Sequence, residues 1–222
     1  MAYPLTHLCV ANRVVEVLNI SAPEDFLLGA IAPDAVHYRE GFKGTQMTNI
    51  GAEKKITHLC PISDEKWGRV TDNDGWINCV HKFLQGNKSD FALGYATHVL
   101  TDIVTNMWLW GNFRNKYPQE AAKGYNSGYH TDLHKVDIRI YHTFFKDSKI
   151  RRLLQAAAPQ GIAGLVTAEE VQAIQDNLLH VSYKNVPPTA DTTDCFYVTY
   201  EQTLEIIDES VSFCVDILKE NL

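Results

Sequence analysis

The sequence predicts an all-α fold, a multi-helix bundle. Apolar residues recur at helical spacing over several long segments, no stretch shows convincing strand alternation, and helix-starting signals precede several of the periodic runs. With 222 residues, 45% of them hydrophobic and 21% charged, one helical domain with a sizeable core is expected. There is no internal repeat and no low-complexity tract.

The first helix is predicted over residues 6–19, where Leu8, Ala11, Val14, Val15 and Leu18 keep helical spacing. In SAPEDFLLGAIAPD, Ser21 and Glu24 have capping-box spacing, and Pro33 ends a short helix with Asp34 at its C-terminal edge. A carboxylate there opposes the helix dipole, which hints that something else holds it. Residues 38–63 read as a loop or a pair of short elements around KKITHLCP. A helix is expected at about 64–85, and Ser89 or Asp90 caps a long central helix running to about 112. RNKYPQEAAKGYNSG is a connector, after which YHTDLHKVDIRIYHTFF resumes helical spacing through Leu133, Val136, Ile140 and Phe144. Ser148 caps a short helix to Ala158, Thr167 and Glu170 form a second capping box for residues 168–181, and 185–195 is a polar linker. A helix at about 196–220 closes the chain.

The net charge of −7, without any Lys/Arg run, argues against a nucleic-acid partner, which requires a basic stripe. It leaves phosphate-ester hydrolysis open, because bound divalent cations supply positive charge locally. No apolar run approaches the ~20 residues of a transmembrane segment. The N-terminal segment shows no signal peptide, and the five scattered cysteines include no CxxC, so a reducing cytoplasmic setting is expected.

The central helix carries the chemistry. LGYATHVLTDIVTNMWLW is apolar on nearly every side, yet His98 and Asp102 share one face at i, i+4. A buried ionised Asp is paired or binds metal. A private His–Asp hydrogen bond is the alternative for this pair taken alone. His130 and His134 repeat the spacing in YHTDLHKVD, with Asp137 one turn on, and paired ligands from two helices are how bundles build inward-facing metal centres. His7, His58 and Asp34 add donors from other segments. Nitrogen and oxygen donors without a thiolate set suit Zn²⁺, with Mn²⁺ or Fe²⁺ as alternatives. His37, three residues from Asp34, reads as a supporting donor or proton carrier, and Tyr95, Thr97 and Asn106 as supporting donors on the central helix.

These segments, THLCVANRVVEVL, DFLLGAIAPD, the His of KKITHL, FALGYATHVLTD and YHTDLHKVDIRI, resemble the zinc-dependent phospholipase C family. That family includes phosphatidylcholine-hydrolysing enzymes and the catalytic domain of clostridial alpha-toxin, and is distantly related to zinc-dependent single-strand nucleases. The resemblance spans residues 6–140, making 1–146 a metal-binding, catalytic-like core and 147–222 a helical extension without recognisable motifs. It implies a phospholipase C/nuclease-type bundle holding one to three Zn²⁺ ions, two being expected. By position, Asp34, His58, His98 and Asp102 would hold one zinc. Asp102 would bridge to a second zinc bound by His7, and His130 and His134 match the pair for a third.

Three departures accompany the resemblance. The chain begins MAYPLTH rather than with a metal-binding Trp, Trp108 stands where the third site uses His, and His134 where it uses Glu. The third site is therefore altered, and an empty site, an inward-turned pair or a different centre completed by Asp137 all stay open. The implied activity is a phosphoric-ester hydrolase in which a hydroxide bridging two metals attacks phosphorus in line, with Asp34 accepting a proton. The expected substrate is a lipid or small-molecule phosphoester. The alternatives are a non-catalytic metal-containing bundle that binds a lipid or protein partner, favoured by Trp108, and a plain helical scaffold whose histidines are satisfied in the core.

Overall fold

The structure is a computed structural model describing residues 2–42, 52–61, 65 and 67–221. It is all-α: eleven α-helices and no strand occur among the described residues, apart from an isolated bridge between Ile162 and Val166. The helices are α1 (Pro4–Leu18), α2 (Pro23–Gly29), α3 (Ala52–Thr57), α4 (Asn73–Gly86), α5 (Asp90–Thr105), α6 (Gly111–Lys116), α7 (Pro118–Ala121), α8 (Gly128–Ile140), α9 (Lys149–Ala156), α10 (Ala168–His180) and α11 (Tyr200–Lys219). No helix among the described residues is long and apolar enough to cross a membrane.

α5 runs through the centre, buried from Phe91 to Thr105. It packs on α1, α2, α4 and α11. Its crossing with α2 brings backbones into contact through two glycines. A Cβ on Gly29 would lie 2.0 Å from the Phe91 carbonyl oxygen, and one on Gly94 would lie 1.9 Å from that of Phe26. The helices therefore approach closer than any side chain allows. One apolar core joins residues from Leu5 to Leu218, so α9, α10 and α11 complete the same interior as α1, α2 and α5.

Several helix starts follow the local signals. Ser89, Ser148 and Thr167 accept from the amides of Ala92, Arg151 and Glu170, the last within a full capping box. Others do not. The Ser21–Glu24 box is absent, and the Asp90 carboxylate caps the Ala22 amide at 2.7 Å across the α2–α5 contact. α4 starts at Asn73 rather than near 64, because Asp72 accepts from Gly75 and fixes the start there. α11 starts at Tyr200 rather than 196, behind a Thr199–Gln202 capping box. The connector contains α7 and a 3-10 turn over Gly124–Asn126. Residues 43–51 and 62–63 of the expected loop, and residues 64 and 66 of the expected helix, lie outside the described residues.

After α5 the chain continues through a wide π turn, Asn106–Trp110, into α6. A Cβ on Gly111 would stand 2.4 Å from the Asn106 carbonyl that the Gly111 amide donates to, so this turn fits glycine alone. A second π turn, Tyr141–Phe145, closes α8.

Candidate metal centre

Five side chains from four segments converge beside the α2–α5 crossing. α5 supplies His98 and Asp102, α1 supplies His7, the 3-10 segment Ala32–Tyr38 supplies Asp34, and His58 follows α3. His7, His58, His98 and Asp102 are buried. His58 Nε2 is 3.3 Å from both His98 Nε2 and Asp34 Oδ1. Asp102 divides its oxygens: Oδ2 lies 3.7 Å from His58 Nε2 and 3.8 Å from His98 Nε2, while Oδ1 lies 3.7 Å from His7 Nε2 and accepts the Ala2 amide at 3.2 Å. The rings of His7 and His98 stack at 3.7 Å. Two overlapping donor groups result, His7–His98–Asp102 and Asp34–His58–His98, each with its ligating atoms within 4.8 Å of one another.

The backbone fixes the ring orientations. His98 Nδ1–H donates to the Ala30 carbonyl (2.8 Å), which the glycine crossing sets beside α5. His58 Nδ1 lies 2.9 Å from the Lys54 carbonyl and 3.0 Å from the Thr57 hydroxyl. Both rings thus turn Nε2 inward, the tautomer control expected of metal-binding histidines. Trp76 Nε1–H donates to the His58 carbonyl at 2.7 Å and the Tyr95 hydroxyl to that of Thr57, satisfying carbonyls at the end of α3. Leu59 then turns the chain in the left-handed region at φ 52°, a conformation that costs a non-glycine residue roughly 1–2 kcal/mol.

Electrostatics separate the carboxylates. Burial would raise the Asp34 pKa, but the Lys54 ammonium at 2.9 Å, with His37 and His58 beside it, holds it well below the usual range. Asp102 is shifted upward by burial, against the opposing pull of His98 and Lys54. Burial lowers His7 well below its ordinary value and His58 to about 3. Both His7 ring nitrogens are buried without a hydrogen-bond partner among the described residues. Neutral imidazoles with unpartnered inward nitrogens, next to carboxylates, are a donor set that fits Zn²⁺.

The cluster opens into a cavity of about 490 Å³ lined by Asp34, Asp102, Lys54, Trp67, Tyr125 and Tyr183 among others. His130, His134 and Asp137 line it too, but no third ligand gathers with the α8 histidines among the described residues. Burial lowers His130 to about 3 and raises Asp137 to about 7, the latter against a hydrogen bond from the Tyr183 hydroxyl. His37 is 3.5 Å from Asp34. Three residues singled out on α5 and just beyond it point elsewhere. The Thr97 hydroxyl donates to Leu93, Asn106 ties the end of α5 to Val70 and Asn73, and Trp108 is 57% exposed. Tyr95 acts on the site only through the Thr57 carbonyl. Lys54 was not singled out from sequence; its one signal is its place a turn before His58.

The family described as zinc dependent phospholipase C matches the chain over residues 6–208. The match continues past residue 146, through helices in which no motif was recognised. The chain matches no curated protein and no solved structure.

Proposed function

The chain belongs to the zinc dependent phospholipase C family, and from this premise we propose that it hydrolyses phosphoric esters of lipid or small alcohols, using Zn²⁺ held by His7, Asp34, His58, His98 and Asp102. The observation that carries the reading is the overlap of two three-donor groups at one buried point of a cavity wall. Zinc bound there supplies Lewis acidity and a water of lowered pKa.

The chain's own residues divide the remaining work. The Ala30 and Lys54 carbonyls hold the His98 and His58 rings with Nε2 inward. Asp102, with one oxygen toward each donor group, is placed to serve both. Asp34, kept anionic by Lys54 and part of the cavity lining, takes the proton of the attacking water. Trp67 and Tyr125 give the cavity apolar surface against which an alcohol or acyl-bearing group packs.

The test is hydrolysis of 4-nitrophenyl phosphorylcholine, bis(4-nitrophenyl) phosphate and 4-nitrophenyl phosphate by zinc-loaded protein, with and without a chelator. Release of nitrophenol that stops on chelation and returns with Zn²⁺ is expected. Tightly bound zinc without turnover of any of the three would replace the hydrolase by a metal-containing binding protein.

A further inference from the structure

The cavity holds one cation whose part so far is to hold Asp34 anionic. Lys54 is the only lysine or arginine lining it among the described residues, and its side chain is 10% exposed. Burying an ammonium is costly unless it is paired. Here Nζ lies 2.9 Å from Asp34 Oδ1 and 3.0 Å from His37 Nε2, with the Trp67 ring centre 5.3 Å away. An ammonium has three N–H donors. Among the described residues, Asp34 Oδ1 and His37 Nε2 are the two polar atoms placed within 3.0 Å of Nζ, fewer than its donors, so an incoming group can engage the third.

The position is fixed at both ends of the residue. Lys54 and His58 are one turn apart, and the Lys54 carbonyl that orients His58 belongs to the residue whose ammonium meets Asp34. Asp34 already joins this cation to the ligand cluster, and a phosphate entering the cavity that Lys54 lines would meet the same ammonium. The α8 histidines sharpen the point, because they gather no third ligand among the described residues.

We propose that Lys54 binds a non-bridging oxygen of the substrate phosphate, as a fixed cation supplied by the chain itself. This rests on the hydrolase reading above. The phosphoryl group then lies between the zinc ligands and Nζ, and charge developing on its oxygens is met from two sides.

The experiment is calorimetric titration of the zinc-loaded full chain with inorganic phosphate, alongside turnover of bis(4-nitrophenyl) phosphate. Lys54→Met is expected to weaken phosphate binding about tenfold or more and to lower kcat about 10²–10³-fold, at unchanged zinc content. Lys54→Arg is expected to keep phosphate affinity while restoring turnover only in part, since its planar fork cannot reproduce a point ammonium. Phosphate affinity of Lys54→Met within about threefold of wild type, with zinc in place, overturns the proposal. If Lys54→Met loses its zinc or its fold, Lys54→Gln decides: zinc-loaded protein whose phosphate affinity stays within about threefold of wild type also overturns it. Lys54-dependent phosphate binding without turnover of any ester would sink the hydrolase reading and leave this one standing.

Discussion

His98 belongs to both donor groups, while Asp102 belongs to one and approaches the other with Oδ2 3.7 Å from His58. His98→Ala is expected to lower bound zinc in both groups, whereas His7→Ala removes only the group that contains it; zinc per chain by atomic emission distinguishes the two. Asp34→Asn is expected to lower kcat about 10²–10⁴-fold, and full turnover in that variant would remove the carboxylate from its role. The histidines set an acid limit. His58 titrates near 3 when folded against 6.5 as a free group, and His7 is shifted the same way. Between those values the unfolded chain binds protons that the folded chain refuses, so stability falls as pH drops below about 6.5. Asp34, depressed when folded, adds a further loss as pH falls below its ordinary 3.8. Chelator-treated protein is therefore expected to melt at lower temperature at pH 5 than at pH 7.5. Asp137 has the opposite sign: between its ordinary 3.8 and its folded value of about 7 the folded chain holds a proton that the unfolded chain releases, so stability is lost as pH rises through that window. Asp137→Asn is expected to stabilise the protein at pH 8 by on the order of 1–4 kcal/mol and to give no such gain at pH 4, read from urea midpoints.

Among the elements, the α2–α5 crossing governs the site more than any propensity does. Gly94→Ala would push Phe26 away and carry the Ala30 carbonyl off His98. A cost of about 1–3 kcal/mol with weakened zinc affinity is expected, measurable by denaturation and by competition with a chromophoric chelator. What was legible in the sequence follows from this. His98 and Asp102 were conspicuous because polar residues interrupt an apolar helix, and Thr167–Glu170 because a capping box is local. Gly29 and Gly94 were silent, since close approach is a property of two segments at once. The Ser21 cap failed for the same reason, its place being taken by Asp90 from another helix. Asn106 read as a supporting donor by position on the helix, yet the turn beginning there is π and its amide serves α4 instead.

Across the whole molecule, the helices after residue 146 are part of the site's architecture. Arg39, just past the Asp34 segment, forms a forked pair with Glu170 of α10 at 2.6 and 3.1 Å and also donates to the Leu165 carbonyl. Asp132 of α8 accepts the amides of Phe196 and Tyr197 at 2.9 and 2.6 Å. Tyr183 and Asn177 border the cavity itself. Motif resemblance stopped near residue 140 because these contributions are packing and backbone contacts, which leave no fixed residue pattern. Glu170→Gln is expected to cost about 1.5–3 kcal/mol, checked by urea titration.

α1 and α11 pack against each other although the other nine helices of the described residues lie between them in the chain. During synthesis the apolar face of α1 leaves the ribosome well before α11, which covers it, has been made. The nascent polypeptide must therefore carry an unsheltered hydrophobic surface until α11 emerges, which makes it a natural client for ribosome-associated chaperones.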